Sequence, residues 1–332
     1  MIKQGILRYF MKSIDELTAF YVDAFTEGKG DLVKQSELIG NTLYQSVQKG
    51  LLVWLAAIII AALVFSSSTW ILFFILASAA VIGWLVNDQY KQAKQAFNER
   101  CYAEIFPKLV QFVDGNLHYA PARVVSQHVF TDAKLIPLPF NAYSGQDYLS
   151  GEYDGVHFEA STVTVKHQNE SSNPLIKCLA QDKELFSGVL IRAEFELASK
   201  GQVVILPKNK PDFDPEYLGA KCYSRLERCP VKFAEFERSF VVLASDSMLA
   251  KSLLSERFML RILSLQQKFG NNVYITVADG HVTIAVNGLH IFDRSRNIYF
   301  DNFYADDVMS WYGDLMRVFT VFYDLGLTSR AS

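Results

Sequence analysis

From Leu51 to Val86 the chain carries no charged side chain. Residues 51–65 read LLVWLAAIIIAALVF and residues 70–86 read WILFFILASAAVIGWLV, with only Ser66-Ser67-Ser68-Thr69 between them. As one helix this stretch would be about 54 Å long, too long for a single crossing of a ~30 Å hydrocarbon layer and slightly short for two. The expected arrangement is a hairpin of two membrane helices joined at the serine turn, each arm borrowing flanking serines or thinning the bilayer locally. Trp54, Trp70 and Trp84 stand towards the ends of the arms, where indole rings favour the headgroup boundary. Two alternatives stay open: a re-entrant hairpin dipping into one leaflet, and a hairpin buried in a protein core. Against the second counts the lack of a charged face.

The flanks set the expected orientation. Lys49 precedes the run, Lys91, Lys94 and Arg100 follow it, and the turn has no cation, which places both termini and the main domain on the cytoplasmic side of the membrane. The first ten residues hold no apolar run of signal-peptide length.

Around the hairpin the pattern divides the chain into residues 1–50 (N-terminal helices), 51–86 (hairpin), 87–117 (a juxtamembrane helix) and 118–332 (an α+β domain). Ser13-Ile14-Asp15-Glu16 has capping-box spacing, so a helix is expected from there to about Thr26. Gly28-Lys29-Gly30 breaks it, and Asp31 caps a second helix. Tyr90, Phe97, Cys101 and Ile105 repeat at helical spacing until Pro107 kinks or restarts the helix and Asp114-Gly115-Asn116 ends it. Beyond residue 120 short alternating runs predict strands at Val156–Lys166, Val189–Leu197, Gln202–Leu206 and Ser239–Leu243. The clearest hairpin is Val273–Ala278 and His281–Val286 around Asp279-Gly280. It would turn Val273, Ile275 and Val277 to the core with Val282, Ile284 and Val286, leaving Tyr274, Thr276, His281 and Thr283 on an exposed side. Helices are predicted after Ser245 or Asp246, after Ser255 as far as Phe269-Gly270, and from Tyr304 to Leu325. The expected class is α+β, a helical membrane hairpin followed by a mainly antiparallel sheet covered by helices.

A net charge of -3 and the lack of a basic stripe exclude an obligate nucleic-acid binder. The four cysteines have no framework spacing and read as reduced thiols. None of the six histidines (His118, His128, His157, His167, His281, His290) falls into a metal-ligand pattern. Gly28-Lys29-Gly30 lacks phosphate-loop spacing, no nucleophile elbow exists, and Ser144-Gly145 has the composition of a turn. Asp293, Asp301, Asp306 and Asp307 read as a solvated loop and the acidic first turn of the last helix. No catalytic, cofactor-binding or metal-binding residue is therefore expected, and no cofactor.

Several phrases nonetheless have a familiar order. Leu117-His118-Tyr119-Ala120-Pro121 is followed by the Tyr143 to Gly151 phrase, Phe186-Ser187-Gly188, Phe236-Glu237 with Phe240, Ala244-Ser245-Asp246 and Arg257-Phe258-Met259-Leu260. Together, over roughly residues 90–325, they resemble the bacterial membrane family catalogued as domain of unknown function 3137. Gln146 and Leu249-Ala250-Lys251 depart from its pattern, where an acidic residue and a Glu-Ala-Arg-like phrase are usual. The resemblance implies a bacterial cytoplasmic-membrane protein and supplies no activity. The resulting expectation is a membrane-tethered binding or scaffolding module, with the lipid bilayer and a protein as partners. Two alternatives are an enzyme acting near the membrane through the Tyr143–Gly151 loop and the Asp293–Asp301 segment, and a structural subunit of an envelope complex packed through Ala57, Ala61, Ala77 and Ala80.

Overall fold

The computed structural model describes residues 13–23, 44–45, 48–52, 54–56, 59, 68–136, 138–168, 182–195, 200–208, 223–294 and 305–327. By contacts the chain divides into two compact units, residues 1–109 with 294–310, and residues 110–293 with 311–332.

In the first unit, α1 (Ile14–Tyr21) starts as its sequence dictates. The Ser13 hydroxyl accepts from the Glu16 N–H at 3.1 Å while the Glu16 carboxylate accepts from the Ser13 N–H at 2.7 Å, so two orphan donors of the first turn are satisfied reciprocally. The second helix expected after Asp31 lies largely outside the described residues. The long helix α2 runs from Ser68 to Val113, 46 residues, and passes through Pro107 without ending. Val113 is its last residue, and Asp114 closes the end by accepting the Asn116 N–H at 2.9 Å.

This arrangement corrects the expected membrane hairpin. Among the described residues no helix is long and apolar enough to cross a membrane. The run 70–86 is not an arm closed at its end, because α2 continues past Asp88, Lys91 and Glu99 with no break. A change of polarity is not a helix terminus: the backbone ladder carries on wherever no proline, glycine or cap interrupts it, and residue 86 has none of these. Much of the first arm, 51–65, lies outside the described residues. Of that stretch Leu51, Leu52, Leu55 and Ile59 are exposed, as are Val81 and Trp84 of α2.

The second unit has the antiparallel sheet with covering helices that α+β patterning implies. Its strands are β1 (His118–Ala120), β2 (Ala142–Tyr153), β3 (Val156–His167), β4 (Lys183–Glu194), β5 (Gln202–Pro207), β6 (Glu227–Arg228), β7 (Phe240–Ala244), β8 (Val273–Ala278) and β9 (His281–Asn287). They form one nine-stranded sheet in the order β1-β2-β3-β4-β9-β8-β5-β7-β6, every neighbour antiparallel. The helices are α3 (Gln127–Asp132), α4 (Ala234–Ser239), α5 (Ser247–Leu253), α6 (Glu256–Phe269) and α7 (Ala305–Leu325), the last shared between the units.

Register assigns the two sheet faces. Val273 pairs with Val286, Ile275 with Ile284 and Val277 with Val282, so these six share one face, with Ile191 and Ala160 across β4 and β3. Here α6 and α7 cover the sheet: Phe258 meets Phe195 at 6.1 Å, and Phe319 and Phe322 meet Phe158 at 6.0 and 4.9 Å. The opposite face carries Val163, Val165, Phe186, Leu190, Val204, Leu206, Tyr274 and Ala285 under α3 and the segment around it, with Phe130 against Phe186 at 5.8 Å. Both faces are therefore buried. Tyr274, Thr276 and Thr283, expected on an exposed side, are 3%, 1% and 7% exposed. Alternation reports which residues share a face, and only the covering elements decide whether that face meets water.

The Tyr143 to Gly151 phrase is not a loop but the middle of β2, and Ser144-Gly145 is not a turn. Gly145 pairs with Val163 inside the ladder, and the register slips between Gln146 and Leu149 in a bulge.

Candidate functional site

The second unit holds an open cleft of about 520 Å³. It lies over the polar end of the α3-covered face, where Gln202 of β5 pairs with Ala278 of β8, Thr276 with Thr283 of β9, and Thr283 with Arg192 of β4. One wall is α3 with the turn after it, contributing His128, Asp132 and Lys134. Arg225 and Ser245 close another side, and the β8–β9 turn adds Asp279 and His281.

The wall formed by α3 is fixed by hydrogen bonds from three distant parts of the chain. Gln202 donates its side-chain amide to the Asp132 carbonyl at 2.8 Å, the Thr276 hydroxyl donates to the Ala133 carbonyl at 2.5 Å, and the Tyr223 hydroxyl donates to the Lys134 carbonyl at 3.1 Å. Three successive carbonyls at a helix end, which have no intrahelical partner, are thus each satisfied. Lys134 itself sits at φ 52, a conformation that costs a non-glycine residue about 1 kcal/mol or more and persists only where surroundings over-determine it. Across the cleft, Gln202 and Ser245 hold each other: the Gln202 N–H donates to the Ser245 hydroxyl, and the Ser245 N–H donates to the Gln202 carbonyl, both at 2.9 Å.

Arg192 lies 3.6 Å from Glu159, both partly exposed, a pair that contributes at most about 1 kcal/mol. The His281 Nδ1 atom lies 2.8 Å from the Asp279 carbonyl. Below the cleft, burial pushes the Tyr274 phenol well above its ordinary value of 10.0. Tyr143 is raised by burial and then by the negative charge of Glu159, and its hydroxyl donates to the Val125 carbonyl at 2.7 Å. Both phenols serve as neutral packing groups, not as proton donors near pH 7. Burial, with Glu227 next in effect, raises the Cys229 thiol, which marks it as unreactive.

The segments proposed for an enzyme are placed differently. Asp147, at φ 61 in the β2 bulge, is buried and accepts the Tyr119 hydroxyl at 2.6 Å. Thr162, paired with Gln146, accepts the Ile291 N–H at 3.1 Å, and Phe292 meets Tyr119 edge-on at 5.7 Å. The bulge and residues 291–292 therefore approach one another, but inside the core and away from the cleft. The Asp293 N–H donates to the buried Asp314 carboxylate at 3.2 Å, which also holds Arg317. Asp301 lies outside the described residues. Among the described residues, no group of three His, Cys, Asp or Glu side chains is placed to hold a metal ion. Of the six histidines, His128 and His281 line the cleft. Nothing in the sequence pairs them, because the cleft is assembled from chain segments with no common motif.

No curated protein matches this chain. One solved structure that aligns with it is the crystal structure of the mycobacterial trehalose monomycolate transport factor A, TtfA, at 7% identity and a TM-score of 0.35, over 68% of this chain and 94% of that one. A likeness of that degree carries no argument about fold or function. Over residues 184–327, from β4 to just past the end of α7, the chain matches the model of the family described as "Protein of unknown function (DUF3137)", the family its ordered phrases resemble, under a description that names neither an activity nor a membrane.

Proposed function

We propose that the chain is a non-catalytic binding module whose second unit takes a small polar ligand or a short polar segment of a partner. One observation carries this reading: a cleft of about 520 Å³ with walls tied into the sheet core by side-chain bonds to three successive carbonyls. That volume falls within the range of ligand sites, roughly 300–1,000 Å³, and a wall held in this way is set before a ligand arrives. The reading makes no use of a membrane hairpin.

The test compares the full chain with its Ala278→Phe variant, which projects a ring into the cleft from β8. Both are purified gently from their own host, and the small molecules released on denaturation are identified by mass spectrometry. A species retained by the native chain and lost from a folded variant supports the reading. Equal retention by both chains, or none by either, removes it.

A further inference from the structure

The cleft also carries a sign of charge. Lys134, Arg192 and Arg225 reach it from three segments far apart in the chain, together with His128 and His281, against the carboxylates of Asp132 and Asp279. Among the described residues, the side chains of Lys134 and Arg225 have no ion-pair or hydrogen-bond partner, whereas Arg192 has Glu159. Solvated cations are ordinary on a surface. Two features set these apart: Lys134 is carried on a backbone held at positive φ by the carbonyl bonds described above, and the hydroxyl of Thr283 lines the same cleft. Thr283 is 7% exposed and lines the cleft, and among the described residues its hydroxyl has no hydrogen-bond partner. The Thr283 oxygen is not itself sealed from solvent, so its hydroxyl stays open to the cleft, where a ligand oxygen can accept its hydrogen bond.

We infer that the cleft binds a small molecule through an oxyanion, a phosphate or a carboxylate, held by Lys134 and Arg225 with the Thr283 hydroxyl. Guanidinium and ammonium groups form their strongest hydrogen bonds with these two anions. Among the described residues no Phe, Tyr or Trp side chain lines the cleft, which favours a small polar anion over a nucleotide. The inference rests on the reading of the cleft as a binding site and adds the chemistry of what it takes.

The test uses the full chain with ¹³C-labelled histidine rings, the His128 and His281 resonances being assigned by substitution. Inorganic phosphate, glycerol phosphate, succinate and neutral glycerol are titrated separately. The expected result is saturable movement of both resonances by at least one anion and none by glycerol, with the phosphate and succinate arms deciding which oxyanion is preferred. Lys134→Gln and Arg225→Gln should each weaken binding about tenfold, the loss of one charge-assisted bond. Arg238→Gln, exposed and outside the cleft, should change it less than about twofold. If glycerol acts as strongly as the anions, or if all three variants weaken binding equally, the oxyanion inference falls and the binding reading stands. If no probe saturates and Ala278→Phe retains the same species as the native chain, both fall.

Discussion

The turn between β8 and β9 offers a perturbation whose size can be worked out in advance. Asp279 has φ 49 and Gly280 φ 71, the pair of positive values that defines the type I′ turn matching the twist of the flanking strands. A Cβ added at Gly280 meets nothing within 4 Å, so a substitution there is resisted by backbone conformation alone and not by crowding. Gly280→Ala should cost about 1 kcal/mol, and Gly280→Val, β-branched at positive φ, about 1–3 kcal/mol. In a fragment of residues 110–332, Trp311 is the sole tryptophan and is 1% exposed, so its emission reports unfolding in urea. With a slope of roughly 2 kcal/mol per M, valine should lower the midpoint by about 0.5–1.5 M. The control is Lys232→Gln, exposed and outside these elements, expected within about 0.5 kcal/mol of the native fragment. If Gly280→Val and Lys232→Gln unfold at the same midpoint, the turn does not hold its register and the β4-β9-β8 order built on it fails.

Four further outcomes are expected. A Cβ at Gly188 would lie 2.1 Å from the Val286 carbonyl oxygen, so Gly188→Ala should cost about 1–3 kcal/mol by overpacking, whereas Gly115→Ala, with nothing within 4 Å, should be near neutral in the same urea assay. Thr276→Val removes the donor to the Ala133 carbonyl and should cost about 1–3 kcal/mol, with faster amide exchange in residues 129–134. Because burial raises the Tyr274 phenol above 10.0, the folded chain keeps a proton that the unfolded chain releases. Stability is thus full below pH about 10 and falls as pH rises beyond it, and Tyr274→Phe should flatten that fall between urea midpoints taken near pH 8 and 10.5. Finally, the exposed Leu51, Leu52, Leu55, Ile59, Val81 and Trp84 all precede residue 110, so light scattering should find the 110–332 fragment monodisperse in water and the full chain associated.

What could be read from the sequence is what local rules decide. Ser13, Asp246 and Ser255 cap helices as their side chains dictate, Gly270 stops α6, and α7, described from Ala305 onward, ends at the expected Leu325 and buries Val308, Trp311, Leu315, Val318 and Phe322. The Asp279-Gly280 hairpin has its expected register. By contrast β2 is nearly invisible: AYSGQDYLSGEY contains two glycines and no β-branched residue, and its bulge breaks the alternation that would announce a strand. Its pairing is set by β3, which a local reading does not include. The first half of β4 is hidden for a similar reason, since Lys183-Glu184 opens it with charges. The error at residues 51–86 is of another kind. An uncharged run does not define an element with two ends, because hydrogen bonding and not polarity ends a helix, and α2 runs on to Val113. None of the cleft was legible, because Lys134, Arg192, Arg225 and Thr283 become neighbours only through sheet order and the placement of α3.

The ends of the sheet bear on what kind of partner the chain can accept. At one end β1 has three residues, and the rest of the β2 edge is occupied by residues 121–125: the Asp147 N–H donates to the Pro121 carbonyl at 3.0 Å, and Val124 lies against Gly145. At the other end β6 is two charged residues, Glu227 and Arg228, and the Cys229 N–H continues the cover by donating to the Val242 carbonyl at 3.0 Å. An outer strand recruits a foreign one through a row of unanswered donors and acceptors. Here the chain answers much of that row itself, so a partner that binds by adding a strand would first have to displace residues 121–125 or 227–229. Recognition by this unit is thereby left to side chains, whose identity single substitutions can change without rebuilding the sheet.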